Sequence, residues 1–514
     1  IAQPGLNGPG DILRLGRPTL FWGVTAGAVD SMVANYTALK KRRQKDDYTP
    51  GHVNDRRPDR AVIAYANLIR RFCKPAAPIV IGGIEASLRR MAHYDFWSNS
   101  IRRSILFDAR ADVLVSGMGH ATIVDLARAF RQGRSFEDIP GIAFIAKTPA
   151  GLALPSFETI AKNRPAYIEA FTSFYRNTDP VTGQRLCQAH QDRYLVLNPP
   201  APVSTTAQMD AIHDLDYEYE VHPFYRALGP VRAMDTIRFA IPTHYGCYGE
   251  CRFCAITVHQ GRTVQCRSTA SILRQARRFT AHPDFKGNIM DLGGPTANMY
   301  GYECPKKLSH GACPDKSCLF PKICTTLRPD HSQYLDLLKK LTALPGIRKV
   351  FVSSGIRYDL ILRDRKHGRA FLEKLVQDHV SGQLKVAPEH SEPHVLDLMG
   401  KQTIDDLLAF KHAFDRLSAQ CGKPQFLTFY LMAAHPGCSQ ADMVALKRFT
   451  KNKLNSTPEQ VQIFTPTPST YSTLMYYTGQ NPFTGKPIFV EKKPVKKQQQ
   501  KDAVTARLPN TLKH

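Results

Sequence analysis

Residues 236–254 read TIRFAIPTHYGCYGECRFC. The first half has the apolar character of a buried strand that ends in polar residues and glycine. The second half puts three thiols, Cys247, Cys251 and Cys254, into eight residues, with Gly246 and Gly249 between them and Phe253 just before the last. Thiolates are soft ligands that suit iron–sulfur clusters, zinc or Cu(I). A structural zinc site closes with four ligands, and this set has three. Either His244 completes a Cys3His zinc site, or the cysteines hold three corners of a four-iron cube and leave one iron open to a small molecule.

Strand and helix patterns alternate from this stretch onward. NIMDLGG, RKVFVSSG, QLKVAPEH, FLTFYLMAAHPG and EQVQIFTPTP read as further strands. Amphipathic helices separate them, the first starting after a Ser268 N-cap. Six βα units in a row predict an open barrel of parallel strands over 236–480, with ligands at the C-terminal strand ends. Gly293–Gly294, Ser353–Gly355, Glu389–His390 and His435–Gly437 all fall at such ends.

Residues 1–150 alternate in the same way. TLFWGVTAG, APIVIGGIEAS, ADVLVSGMG and GIAFIAK read as strands, and HATIVDLARAFRQG as a helix closed by a C-cap glycine. This predicts a Rossmann-like, doubly wound parallel sheet, so the expected class is α/β. Its first strand–loop unit would precede Ile1, so this domain is expected to be truncated at its start. Residues 151–235, rich in proline and polar residues, are expected to bridge the domains as an extended linker. The basic segment 481–514, with KKPVKKQQQK at its heart, is expected to be disordered.

The 514 residues are 43% hydrophobic and 22% charged, with no apolar run of membrane-spanning length, so no membrane partner is expected. Lys and Arg exceed Asp and Glu by 25, which keeps nucleic acid open as a partner. Eight of the twelve cysteines fall between 247 and 324 in a chain that shows no secretory signal. That clustering favours metal or redox chemistry in a reducing compartment, the cytoplasm, over disulfides.

The motif C-x3-C-x-aromatic-C at the end of a first barrel strand resembles the signature of the radical S-adenosylmethionine (SAM) superfamily, and CYGECRFC matches it throughout. SGIRYDL, SGQLKVAPEH, AHPGC and EQVQIFTPTPSTYSTLMYY are similar to the YgiQ-type group within it. The resemblance implies a [4Fe-4S] cluster on Cys247, Cys251 and Cys254, with SAM on the open iron. It also implies reductive cleavage of SAM to a 5′-deoxyadenosyl radical and a one-electron donor of the flavodoxin or ferredoxin kind. By position, it implies that Phe253, Gly293, Gly294, Ser354, Arg357 and Glu389 bind the cofactor. It names no catalytic residue and no substrate. For Arg357 and Glu389, a plain ion pair at the barrel mouth is the competing reading.

The N-terminal segments VLVSGMGHAT and IPGIAF are similar to the cobalamin-binding domain of other radical SAM enzymes. The loop that carries a ligating histidine there would precede Ile1, and cobalamin is disfavoured as a cofactor. Cys304, Cys313, Cys318 and Cys324 follow the Gly293–Gly294 turn in an irregular loop. They are candidates for a second metal site, with a further iron–sulfur cluster, zinc and no metal all left open. The alternative function is an iron–sulfur or zinc protein without catalysis that binds nucleic acid through its basic surface.

Overall fold

The computed structural model describes residues 2–505. Seven strands form the N-terminal sheet: β1 (Trp22–Val24), β2 (Ile79–Ile81), β3 (Val113–Val115), β4 (Ile142–Ala146), β5 (Leu152–Leu154), β6 (Leu186–His190) and β7 (Arg193–Leu197). Their order is β1-β2-β3-β4-β7-β6-β5. The doubly wound part is β1–β3, which run parallel, Trp22 opposite Ile79 and Val80 opposite Val113. From β4 the pairings are antiparallel, with Leu114 opposite Ala143, until the edge strand β5, which runs parallel to β6. The residues of β2 and β3 are buried, as both faces of a covered sheet require. The helix His120–Gln132 ends as expected, with Gly133 at φ 63° donating to the carbonyls of Ala129 and Phe130.

Two boundaries differ from the sequence expectation. The stretch 151–235 is no plain linker, because β5–β7 complete the first sheet and the helix Arg164–Arg176 packs beside them. Its proline and polar residues lie mainly in the connections, which masked the short strands. The C-terminal segment is ordered through its helix Pro494–Val504, which buries Lys497, Gln500 and Val504. Gln500 accepts from the Ala434 backbone at 2.8 Å and donates to the Cys438 carbonyl at 3.1 Å. A helix that docks through Lys and Gln stems has little apolar signature. The rest of the expected disordered tail, 506–514, lies outside the described residues.

The barrel forms as the alternation predicts. Its strands are β8 (Ala240–Pro242), β9 (Asp291–Gly293), β10 (Lys349–Val350), β11 (Gln383–Glu389), β12 (Phe426–Ala433) and β13 (Gln462–Ile463). β9 is preceded by a short strand, Asn288–Ile289, that carries the pairing to β10. The neighbours run parallel: Ile241 opposite Leu292, Ile289 opposite Val350, Val386 opposite Phe429, and Ala433 opposite Ile463. A parallel bridge from Ile356 to Val386 closes the step from β10 to β11. Leu292, Val386, Phe410 and Phe414 are among the fully buried side chains that fill the space between strands and helices.

Several histidines are buried in this frame. His93 and His190 are held at about pKa 4 and His435 at about 3, with desolvation the main cause. His190 stacks on Phe157 and neither ring nitrogen has a partner. These groups take up protons in the unfolded chain below about pH 6.5. In the folded protein they resist protonation until about pH 4 or below. Stability therefore declines as pH falls from 6.5 towards 4, by about 1.4 kcal/mol per pH unit for each group. Urea unfolding across that range checks this, and His190→Phe should reduce the slope by about one proton.

Candidate functional site

The three cysteines sit on the loop that leaves β8, at the mouth where the other strands also end. Local geometry explains the glycines. Gly246 has φ 82°, and a Cβ there would overlap the Thr263 backbone carbonyl, so the loop turns only with glycine. A Cβ on Gly249 would stand 3.2 Å from Cys247 Sγ and 3.9 Å from Cys251 Sγ, filling the cradle between the thiols. The Gly249 amide donates to Cys247 Sγ at 3.4 Å. Burial, followed by the neighbouring Cys251 and Cys247, raises the Cys254 thiol to about 12. Burial also raises the Cys247 thiol, and a bound cation would favour thiolates here.

Among the described residues, no three His, Cys, Asp or Glu side chains gather as a single metal ion would need. His244 therefore does not join the cysteines in such a set. Its ring is buried against Gly294, where a Cβ would come within 2.6 Å of Cε1. Nδ1 lies 2.8 Å from Thr243 Oγ1, and Nε2 has no partner. The fit to a cube of iron and sulfide is better, since its corners hold ligands apart and Gly249 leaves room beside two of the three thiols.

The remaining predicted residues come to the same mouth in unequal roles. Gly293 is packed against Ser354, whose Oγ would lie 2.6 Å from a Cβ, so both glycines of the turn serve protein contacts as well as openness. Ser354 donates its hydroxyl to Asp291, which also accepts from the Ser353 and Ser354 amides at 2.8 and 3.0 Å. Arg357 closes its guanidinium fork on Asp359 at 2.9 and 2.5 Å, and its Nη1 lies 4.0 Å from Cys251 Sγ. The ion-pair reading of Arg357 thus describes its contacts. Phe253 packs edge-on to His435, their ring centres 6.3 Å apart.

Glu389 is different. It ends β11 at φ 68° after a register shift, a left-handed conformation that costs a non-glycine residue about 1–3 kcal/mol. Its carboxyl is buried and accepts no hydrogen bond among the described residues. Burial raises its pKa, against the pull of Lys401 and Arg357. The strain aims an unpartnered carboxyl at the mouth beside Cys254, whose pKa it raises in turn.

Reasoning from sequence passed over Asp291 and Asp359, which hold Ser354 and Arg357 in place. Their only signal was a carboxylate at a strand end and one two residues beyond Arg357. Cys304, Cys318 and Cys324 gather with Leu319 and Ile323 in an apolar cluster around Tyr248, while Cys313 lies outside it. Burial raises Cys318 to about 12.

Opposite the cysteine loop stand the C-terminal ends of β2 and β3, where an open α/β sheet binds its ligands. Ser87 links the two sides, its Oγ accepting from the Gly117 amide at 3.0 Å and lying 3.1 Å from His259 Nδ1. Between them opens a cleft of about 120 Å³, lined in part by Ser116–Thr122 and Thr257–Thr263. No helix among the described residues is long and apolar enough to cross a membrane.

A family model described as radical SAM N-terminal matches residues 1–240. The chain is 53% identical over 513 residues to a UPF0313 protein of Fusobacterium nucleatum, spanning 99% of this chain and 90% of the relative. It is 46% identical over 497 residues to a UPF0313 protein of Thermotoga maritima, spanning 96% and 87%. Among solved structures, it aligns at 15% identity and a TM-score of 0.49 with the radical SAM methyltransferase TsrM of Kitasatospora setae, with cobalamin and a [4Fe-4S] cluster bound. The alignment covers 90% of this chain and 67% of that one. The expectation against cobalamin finds no support in these likenesses.

Proposed function

The chain belongs to the UPF0313 family, with a radical SAM N-terminal region, and from that premise we propose that it is a radical SAM enzyme. The observation that carries the reading is the three-cysteine loop at the mouth of a parallel barrel, with Gly249 leaving room beside the Cys247 and Cys251 thiols. Cys247, Cys251 and Cys254 would hold a [4Fe-4S] cluster. When bound, it supplies one electron to the sulfonium of SAM, whose C–S bond breaks to give methionine and a 5′-deoxyadenosyl radical. A flavodoxin- or ferredoxin-like protein fits as the electron source.

The chain's own residues hold and shield. Gly249 leaves room between the thiols, and Phe253 with His435 walls one side against water. The Arg357 guanidinium places a positive charge beside Cys251. Glu389 offers a carboxyl with free acceptor capacity, suited to the ammonium or a ribose hydroxyl of SAM. Ser354, Gly293 and Gly294 shape the adjoining wall. The substrate would enter from the cleft between the cysteine loop and the ends of β2 and β3.

The test is anaerobic reconstitution with iron and sulfide, then dithionite and SAM. Release of methionine and 5′-deoxyadenosine is expected, and intact SAM would reject the reading. About four irons per chain are expected for the one proposed cluster. About eight would give the second cysteine group a cluster of its own. Glu389→Gln should raise the KM for SAM about tenfold, one charge-assisted hydrogen bond being worth roughly 1.5–3 kcal/mol. Gly294→Ala, which drives a methyl into the His244 ring, should cost about 1–3 kcal/mol in urea unfolding.

A further inference from the structure

A second concave surface lies at the other end of the N-terminal sheet, away from the cysteine loop. Lys74 precedes β2 and Arg110 and Asp112 precede β3, so this groove sits where those strands begin. Six of its ten lining residues are cations: Arg70, Arg71, Lys74, Arg102, Arg103 and Arg110. Two carboxylates answer them. Asp108 takes Arg102 and Arg103 at 2.5 and 2.7 Å, and Asp112 takes Arg70 at 2.7 Å. Arg71, Lys74 and Arg110 are exposed, with no carboxylate partner among the described residues.

Structural duty accounts for part of this. Arg70 and Arg71 fall in the last turn of the helix Ala61–Phe72, where cations complement the helix dipole. That leaves Lys74 and Arg110 turned to solvent without a carboxylate partner among the described residues, next to Arg71 and the Asp108-paired Arg103, although like charges crowded together repel. Arg103 and Arg193 both lie over the Phe107 ring, at 5.7 and 5.6 Å from its centre, which carries the basic strip beyond the groove. Guanidinium forks match phosphate oxygens in pairs. A hollow suits a chain that lies along it better than a flat membrane, and several cations spread along a strip suit several phosphates better than one.

We propose that this groove binds the phosphodiester backbone of a nucleic acid. Binding uses phosphate charge and needs no base contacts, so it is insensitive to sequence and sensitive to salt. The experiment uses the full chain and a fluorescent mixed-sequence 20-nucleotide single-stranded RNA. With three to four phosphates neutralised, affinity should fall about 30-fold between 50 and 200 mM salt. Arg71→Gln/Lys74→Gln/Arg110→Gln should weaken binding at 50 mM salt at least tenfold. It should also flatten the log–log salt slope by about 2. Lys339→Gln/Lys451→Gln/Lys453→Gln, an equal loss of charge at exposed sites elsewhere, should bind like the parent, with thermal melting confirming that both variants fold. Equal binding by parent and groove variant would overturn the proposal, as would no binding at 50 mM salt. So would phosphatidylserine vesicles binding tighter than RNA with the same loss in the groove variant, since the hollow would then serve a membrane.

Discussion

Cys251→Ala is expected to abolish SAM cleavage, dropping 5′-deoxyadenosine release at least 1000-fold. The magnitude follows from the absence of any partial substitute. The proposed cluster has three protein ligands, and Cys251 stands between the other two in the chain, with Cys254 and Arg357 beside it. Removing it leaves two thiols, and neither His244 nor another side chain gathers there to take the place. Reconstituted iron should fall from about four per chain to near zero, while circular dichroism and urea unfolding stay close to the parent. A part-exposed thiol makes a small contribution to packing. A variant that keeps its iron and its cleavage would show that the cluster is held elsewhere. Cys247→Ala and Cys254→Ala should behave alike.

Arg357→Ala should give the largest loss of stability, about 3 kcal/mol, because it strips the partner from the buried Asp359 carboxylate. Asp359 would then keep a desolvated charge whose guanidinium partner, at 2.5 Å, is gone. The backbone around Arg357 is also anchored, its amide donating to Asn298 Oδ1 at 2.8 Å and its carbonyl accepting from Asn298 Nδ2 at 2.9 Å. Those contacts survive the substitution, so the loss belongs to the charge pair. Arg357→Ala/Asp359→Ala should recover much of the stability, since no lone charge remains. It should not recover cleavage in full, because the positive charge beside Cys251 is still missing. Urea unfolding of the single and double variants measures the coupling. If the double variant is no more stable than the single, the pair is not what holds this corner of the mouth.

The parts of the fold that could be read from sequence are those with strong local periodicity. TIRFAIPTHYG, QLKVAPEH and FLTFYLMAAHPG are strands because apolar β-formers run uninterrupted to a glycine or polar turn, as buried parallel strands do. Position then delivered the site, since any residue at a parallel strand's C-terminal end faces the same mouth. What stayed hidden depended on contacts distant in sequence. Leu152–Leu154 is too short to signal a strand, and only its pairing with β6 makes it one. The helix Pro494–Val504 is polar throughout, and docks by hydrogen bonds from Gln500 to a turn more than sixty residues earlier. The roles of Ser354 and Arg357 could not be told from sequence because Asp291 and Asp359 consume their polar groups. The glycine pair ends β9, and its missing side chains make room for Ser354 and His244. Glu389 illustrates the converse: the sequence placed it at the mouth, and only the backbone angle and the empty acceptor sites mark it out.

The most direct measurement is pulsed electron paramagnetic resonance on the dithionite-reduced, reconstituted protein, with SAM carrying 15N in its amino group. A 15N coupling from labelled SAM to the cluster spin is predicted, absent at that frequency when SAM carries natural-abundance 14N or is left out. Coupling instead to nitrogen of a uniformly 15N-labelled protein histidine, with none from SAM, would mean that a side chain caps the cluster and that no open iron is offered to the cofactor.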